Sequence, residues 1–277
     1  MSVYVVTGVS RGIGFEFLKQ ISADPQALFI GLVRNVAGTE KKVKAELGDR
    51  SNVHIVYADL TSHASLKQAA VDTAAVVGDR GVDYLIANAA YMSYFDGFDP
   101  IGALGNNPDE LDKVAAAGFQ ANCVGNIHLF NNFIPLVKQG KVKKVIAITS
   151  GHADLDFINS LEVEVGALYA ASKAALNVIV AKFNAQYKKE GVLFMSISPG
   201  VVDVGNLASV TPDQAQGLMG FLGKMAQYAP ATFGEGKPNS STPEESVKDV
   251  RATIERASIK SGFAGSFVSH WGTKQWV

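Results

Sequence analysis

Tyr169-Ala-Ala-Ser-Lys173 places a phenol and an ammonium four residues apart. The run from Tyr169 to Lys189 has apolar residues at helical spacing. On a helix, four residues make about one turn, so both side chains project from one face. A free phenol titrates near ~10, too weak an acid to release its proton readily at neutral pH. A close ammonium favours the phenolate, and each unit of lowering corresponds to about 1.4 kcal/mol. A phenol tuned in this way gives a proton to a carbonyl oxygen or takes one from an alcohol. The same five residues also fit a tyrosine at the edge of a core beside a solvated lysine, so the rest of the chain has to decide.

The first element that must position such chemistry lies at the start of the chain. Val3–Val6 is a short β-prone run, and it feeds into Thr7-Gly8-Val9-Ser10-Arg11-Gly12-Ile13-Gly14 and a helical stretch to about Ala23. A strand, a glycine turn and a helix N-terminus form a pyrophosphate cradle. Glycines admit the phosphates close to the backbone, and free N–H groups with the positive helix end hold their charge. Leu28–Val33 reads as the second strand, ending in Arg34-Asn35. In a dinucleotide fold this strand end faces the adenosine ribose. A carboxylate there bonds the 2′-hydroxyl of NAD, whereas an arginine accommodates the 2′-phosphate of NADP. No Asp or Glu occurs from Phe29 to Gly38, and Arg11 in the turn is a second cation, so NADP is the expected cofactor.

A charged helix over Val36–Leu47 leads to a third strand at Val53–Tyr57 and then to Asp59-Leu60-Thr61. Asp59 either accepts from an adenine amino group or caps the helix from Ser62 to Val77. The fourth strand, Tyr84–Ala87, ends in Asn88-Ala89-Ala90, small residues that let the chain pass close under a cofactor. Strands alternating with helices predict a doubly wound α/β fold. Its central, mostly parallel seven-stranded sheet would carry helices on both faces and a ligand at the strand C-termini.

In the second half, an aromatic loop from Tyr91 to Asn107 suits a substrate wall or a surface loop pinned by its own rings. Asn107-Pro108-Asp109-Glu110 starts a helix that is expected to run to about Lys138, with Asn122 midway. A fifth strand, Val142–Thr149, ends at Ser150, whose hydroxyl points into the cofactor crevice. The acidic stretch from Gly151 to Leu168 reads as a lid or, by preference, a solvated loop. A sixth strand, Val192–Ile197, ends in Ser198-Pro199-Gly200-Val201-Val202, a turn suited to backbone approach to a nicotinamide ring. Asn206–Ser241 is rich in apolar residues and glycine and is expected to cover the substrate. Thr242-Pro243-Glu244-Glu245 opens another helix with a capping box, and Gly265–Val268 is a final strand with Trp271 and Trp276 near it.

Composition bounds the partners. With 277 residues, no linker-like stretch and 47% hydrophobic content, one domain over 1–277 is expected, with a substrate-covering segment at about 203–241. A net charge of −1 argues against a nucleic-acid surface. The single Cys123 excludes an internal disulfide framework and suits a reducing compartment. There is no signal-peptide pattern and no apolar stretch of the ~20 residues that span a bilayer, so a cytoplasmic protein off the membrane is expected. The five histidines show no metal-ligand spacing. His152, two residues past Ser150, is the one histidine near the site.

In order, Thr7-Gly8-x-x-x-Gly12-Ile13-Gly14, Asp59-Leu60, Asn88-Ala89, Asn122, Ser150, Tyr169-x-x-x-Lys173 and Pro199-Gly200 resemble the short-chain dehydrogenase/reductase family. The match spans most of the chain. Arg11 and Val33-Arg34-Asn35 look most like its NADP-preferring carbonyl and polyketide-type ketoreductases. The resemblance implies Tyr169 as proton donor, with Lys173 lowering its pKa and holding the nicotinamide ribose. It further implies Ser150 bonding the substrate carbonyl, Asn122 keeping a water in the proton relay, and the Val202 backbone meeting the carboxamide. It also implies a homodimer or homotetramer through the helices that carry Asn122 and Tyr169.

Three positions depart from the family's pattern. Ala90 stands where glycine is common, Val204 where a threonine commonly sits, and Ser150 and Tyr169 are 19 residues apart, longer than usual. The expected function is NADPH-dependent reduction of a ketone or aldehyde, with a hydrophobic or aromatic carbonyl compound as small-molecule substrate. The rivals are NADP-dependent alcohol oxidation, a non-redox cofactor-bound scaffold, and isomerisation or cyclisation of a bound intermediate.

Overall fold

Strands that are apolar on both faces have no side to offer water, and they bury themselves between two layers of helices. The computed structural model describes residues 1–205, 212–229 and 240–276. Its strands are β1 (Ser2–Thr7), β2 (Ala27–Val33), β3 (Val53–Tyr57), β4 (Tyr84–Ala87), β5 (Lys144–Ile148), β6 (Leu193–Ser198) and β7 (Phe267–Ser269). β2, β4, β5 and β6 are buried at every position. The sheet runs β3-β2-β1-β4-β5-β6-β7, and every pairing is parallel. The strand order reverses between β1 and β4, and a crevice opens beyond the strand C-termini at such a reversal.

The helices are α1 (Gly12–Ile21), α2 (Val36–Leu47), α3 (His63–Val77), α4 (Tyr94–Gly97), α5 (Ile101–Leu104), α6 (Pro108–Phe119), α7 (Gly125–Gln139), α8 (Leu155–Leu161), α9 (Ala167–Tyr187), α10 (Pro212–Tyr228) and α11 (Pro243–Arg256). One core layer sets Leu66 of α3, Phe130 and Phe133 of α7 and Leu176 and Val180 of α9 against the sheet. The other sets Phe17 and Leu18 of α1 and Val247, Val250 and Ile254 of α11 against it. A third cluster joins Phe157 and Leu161 of α8 to Met225 of α10 and to Trp276.

Three sequence expectations change. The helix expected from Asn107 to Lys138 is interrupted by a π turn at Gln120–Val124, where the repeat widens by one residue. Such turns occur mostly as single insertions within α-helices, frequently at functional sites. The stretch from Gly151 to Leu168 is not a solvated loop throughout. It holds a 3-10 turn (Gly151–Ala153) and then α8, whose Phe157 and Leu161 are buried. Its acidic Asp154 caps α8 by accepting from the Phe157 N–H at 3.0 Å. The fifth strand begins at Lys144 rather than Val142, because Lys143 has φ +58, incompatible with an extended ladder. Much of the covering segment expected at about 203–241 lies outside the described residues. Its described helix α10 carries Phe221 and Tyr228 toward the His152 and Phe157 rings.

Candidate active site

The glycine turn and the end of β4 are laced together. The Thr7 hydroxyl oxygen accepts from the Asn88 N–H at 3.0 Å and from the Ala89 N–H at 2.9 Å, and Asn88 Nδ2 donates to the Thr7 carbonyl at 3.0 Å. This closeness requires glycine. A Cβ at Gly14 would lie 2.1 Å from the Gly8 carbonyl oxygen, and one at Gly8, which has φ +75, would lie 2.9 Å from Ala89. Gly12 has φ +57 and faces Val204, so the Val204 side chain closes over the turn. No side chain caps α1 at Arg11. The first-turn N–H groups and the positive helix end therefore face the crevice. A close backbone approach and an uncapped helix start fit a pyrophosphate.

The neighbouring residues divide between structural and open roles. Asn35 caps α2, its oxygen accepting from the Gly38 N–H at 2.9 Å. Asp59 does not cap α3, a place taken by Ser62. Its Oδ1 instead accepts from the Thr61 N–H and hydroxyl at 2.9 and 2.8 Å. These bonds, with the Arg34 charge adding, hold its carboxyl below the usual range. Leu60 packs its backbone on α7, where a Cβ at Gly125 would lie 2.3 Å from the Leu60 carbonyl oxygen. Lys42 of α2, unremarkable on a charged helix, reaches the Ser10 carbonyl at 3.4 Å and lies over the Phe15 ring. It adds a cation to the side of the turn where Ser10, Arg11 and Ile13 lie.

At the C-terminal ends of β5 and β6 the catalytic candidates gather. Ser150 follows β5, and its Oγ accepts from the His152 N–H at 3.3 Å. Lys173 is 2% exposed. Its Nζ donates to the Ile148 carbonyl at 2.8 Å and sits 5.7 Å from the Tyr169 ring centre. Burial pushes the Tyr169 phenol up to about 12 and the Lys173 ammonium down to about 8. In both groups burial disfavours the charged form. The ammonium is anchored on a main-chain carbonyl and lies over the ring.

Asn122 is fully buried in the π turn. Its amide clasps Tyr91 from both sides, accepting from the Tyr91 N–H at 2.7 Å and donating to its carbonyl at 2.9 Å, and it also donates to Ser172 Oγ at 2.9 Å. Its carbonyl accepts from Asn126 Nδ2 at 2.8 Å. This is a tertiary clamp, not the local bonding that a mid-helix asparagine suggests. A cavity of about 10 Å³ lies between Tyr91, Asn122 and Tyr169. Cys123 is buried, its thiol pushed up by burial and donating to the Ser172 carbonyl, which makes it unreactive.

Asp96 of α4 was not singled out by sequence, since an isolated loop aspartate carries no pattern. It is buried and accepts from the Leu168 and Tyr169 N–H groups at 3.0 Å each.

The turn after β6 meets the site from the far side. Ser246 Oγ donates to the Pro199 carbonyl at 2.7 Å, and Gly200, at φ +84, packs on the His270 ring. The Val202–Ser241 bridge uses the Val201 carbonyl and the Asp203 N–H, at 2.8 and 3.0 Å. The Val202 N–H is left out of that bridge. Among the described residues no His, Cys, Asp and Glu cluster could hold a metal ion.

A seven-stranded parallel sheet reversing at β1/β4, a glycine cradle and a Tyr-Lys pair with its ammonium buried define a Rossmann-type oxidoreductase site. The family model for short chain dehydrogenases matches residues 2–215, and the chain belongs to that family. It is 62% identical over the full length of both chains to a short-chain dehydrogenase/reductase, iacC, of Pestalotiopsis fici. It is 50% identical, again over both full lengths, to a short chain dehydrogenase, virK, of Hypocrea virens. Its fold is similar to that of an NADPH-bound carbonyl reductase from chicken fatty liver. That match has a TM-score of 0.76 at 20% identity and covers 99% of this chain and 98% of the other.

Proposed function

We propose that the chain reduces a ketone or aldehyde to an alcohol at the expense of NADPH. The observation that carries this reading is the half-buried Tyr169 with the buried Lys173 ammonium over its ring, at the strand C-terminal edge that also carries Ser150 and the glycine cradle. Bound in that cradle, a reduced nicotinamide supplies the hydride to the carbonyl carbon. Tyr169 gives its phenolic proton to the carbonyl oxygen, which Ser150 orients with its hydroxyl. Lys173, with its Nζ already directed by the Ile148 carbonyl, holds the nicotinamide ribose and stabilises the phenolate that proton transfer leaves. Asn122 fixes the relay side of Tyr169 through Tyr91 and Ser172, and the Val202 N–H would donate to the carboxamide oxygen. Gly8, Gly12, Gly14, Asn88 and Ala89 shape the pyrophosphate and nicotinamide track, with Pro199 and Gly200 closing it. Asp59 and Leu60 flank the adenine.

The cofactor preference follows from charge. Arg11, Arg34 and Lys42 face a ribose region that carries no carboxylate between Phe29 and Gly38, which favours a 2′-phosphate. The NADPH bound by the chicken carbonyl reductase supports the same preference. The exposed Tyr91, Met92 and Tyr94, and Phe221 against the His152 ring, favour a hydrophobic or aromatic carbonyl compound. Exposed Phe119 of α6 and Val178 of α9 favour a homodimer or homotetramer joined through these helices.

The reading is tested with a panel of diketones, quinones and aryl ketones. Loss of the reduced cofactor's absorbance is followed with NADPH and, separately, with NADH. Turnover with NADPH well above that with NADH is expected. Retention of the reduced cofactor across the panel, with NADPH bound by calorimetry, would favour a scaffold instead.

A further inference from the structure

Asp96 is 1% exposed, in the loop between β4 and α6. A buried carboxylate is costly unless its charge is met by donors. Here Oδ2 alone accepts from two main-chain donors, the N–H groups of Leu168 and Tyr169, each at 3.0 Å. The Asp96 carbonyl accepts from the Gly166 N–H at 2.8 Å. All three donors belong to the start of α9. That helix has no cap of its own, because its N-cap residue is Gly166, at φ +68 and without a side chain. The catalytic helix is thus capped from another part of the chain, and a negative charge at a helix N-terminus is favourable there. The surrounding loop is fastened to the same turn. Pro100 bridges Val165, and the Ile101 N–H donates to the Glu164 carbonyl at 3.1 Å. At its other end the loop is held by the Asn122 clamp on Tyr91.

We propose that Asp96 is a positioning residue for proton transfer, fixing where the Tyr169 phenol stands by gripping the amide of Tyr169 itself. The inference rests on the reading of Tyr169 as proton donor. Because the bond falls on that residue's own backbone, a shift of the first turn moves the phenol directly. Lys173 lies a turn further on and keeps its separate anchor at Ile148. The glycine cradle belongs to β1 and α1 and does not touch Asp96. Loss of Asp96 should therefore separate chemistry from cofactor binding, which loss of an ordinary helix cap would not do.

The test uses the full chain with Asp96→Ala, Asp96→Asn and Asp96→Glu, measuring kcat, NADPH affinity by calorimetry and melting temperature. Asp96→Ala is expected to lower kcat about a hundredfold, the scale of an ångström's misplacement, with NADPH affinity unchanged. Asn offers one oxygen at the same reach that can accept both N–H bonds, and is expected to keep kcat within about threefold. Glu keeps the charge but places it a methylene too far, and is expected to lose kcat as Ala does. Should Asp96→Ala fail to fold, the contrast between Asn and Glu carries the test. A folded Ala or Glu variant with a lowered melting temperature and wild-type kcat would overturn the proposal and leave a purely structural cap. Tyr169→Phe is run alongside. If it still turns over, the donor reading falls and the role of Asp96 with it. If it is inactive while Asp96→Glu is fully active, only the role of Asp96 falls.

Discussion

Burial moves Tyr169 and Lys173 in opposite directions for one reason: in each case it disfavours the charged form. Burial thus favours the protonated phenol of Tyr169 and opposes the charged ammonium of Lys173. His152 shows the same effect, with burial pushing its imidazole down to about 4 from 6.5. Unfolded chains take up this proton below 6.5, whereas the folded chain resists it until about 4, so stability falls as pH drops through that window. His270, also lowered by burial, adds to the loss. In thermal melts, His152→Gln is expected to lose less stability than the unmutated chain between those two pH values. Equal losses would contradict the burial argument. Tyr169, Lys173 and Ser150 were legible because their pattern is local: a helical spacing and a strand end. Asp96 and Lys42 were not, because their partners lie far away in sequence, at Tyr169 and Ser10.

At the scale of elements, the strands were the most readable, since apolar runs bounded by turn residues leave few alternatives. β3, β4 and α2 fall where hydrophobic patterning places them. The π turn at Gln120–Val124 was hidden, because a single extra residue barely alters helical periodicity. α8 was hidden by its length of seven residues and by the acidic side chains around it. The π turn matters because it carries Asn122. Asn122→Ala would strip the part-buried Tyr91 main-chain groups of these partners and remove one of the two bonds of the Ser172 hydroxyl, which also donates to the Tyr169 carbonyl. Leaving such groups unsatisfied costs about 1–3 kcal/mol, and urea unfolding is expected to show a loss of that order. An unchanged midpoint would mean that the loop is held by its other ties.

For the molecule as a whole, the site exists only through sheet order. Residues 7–14, 88–89, 122, 150, 169–173 and 199–202 converge because β1, β4, β5 and β6 lie side by side with their C-termini at one edge. The fold class was legible from the alternation of strands and helices, and the cofactor cradle from the glycine turn. The substrate was not, because the surroundings of the described helix α10 are set by tertiary packing such as the Phe157, Met225 and Trp276 cluster. No helix among the described residues is long and apolar enough to cross a membrane.

The most direct test of the account is the turnover of Tyr169→Phe with a carbonyl compound that the unmutated chain reduces, at saturating NADPH. A fall in kcat of about a hundredfold or more is expected, the scale of a lost general acid, with NADPH still bound at its original affinity. A variant that reduces the same compound within about threefold of the original rate, well inside that scale, would contradict proton donation by Tyr169.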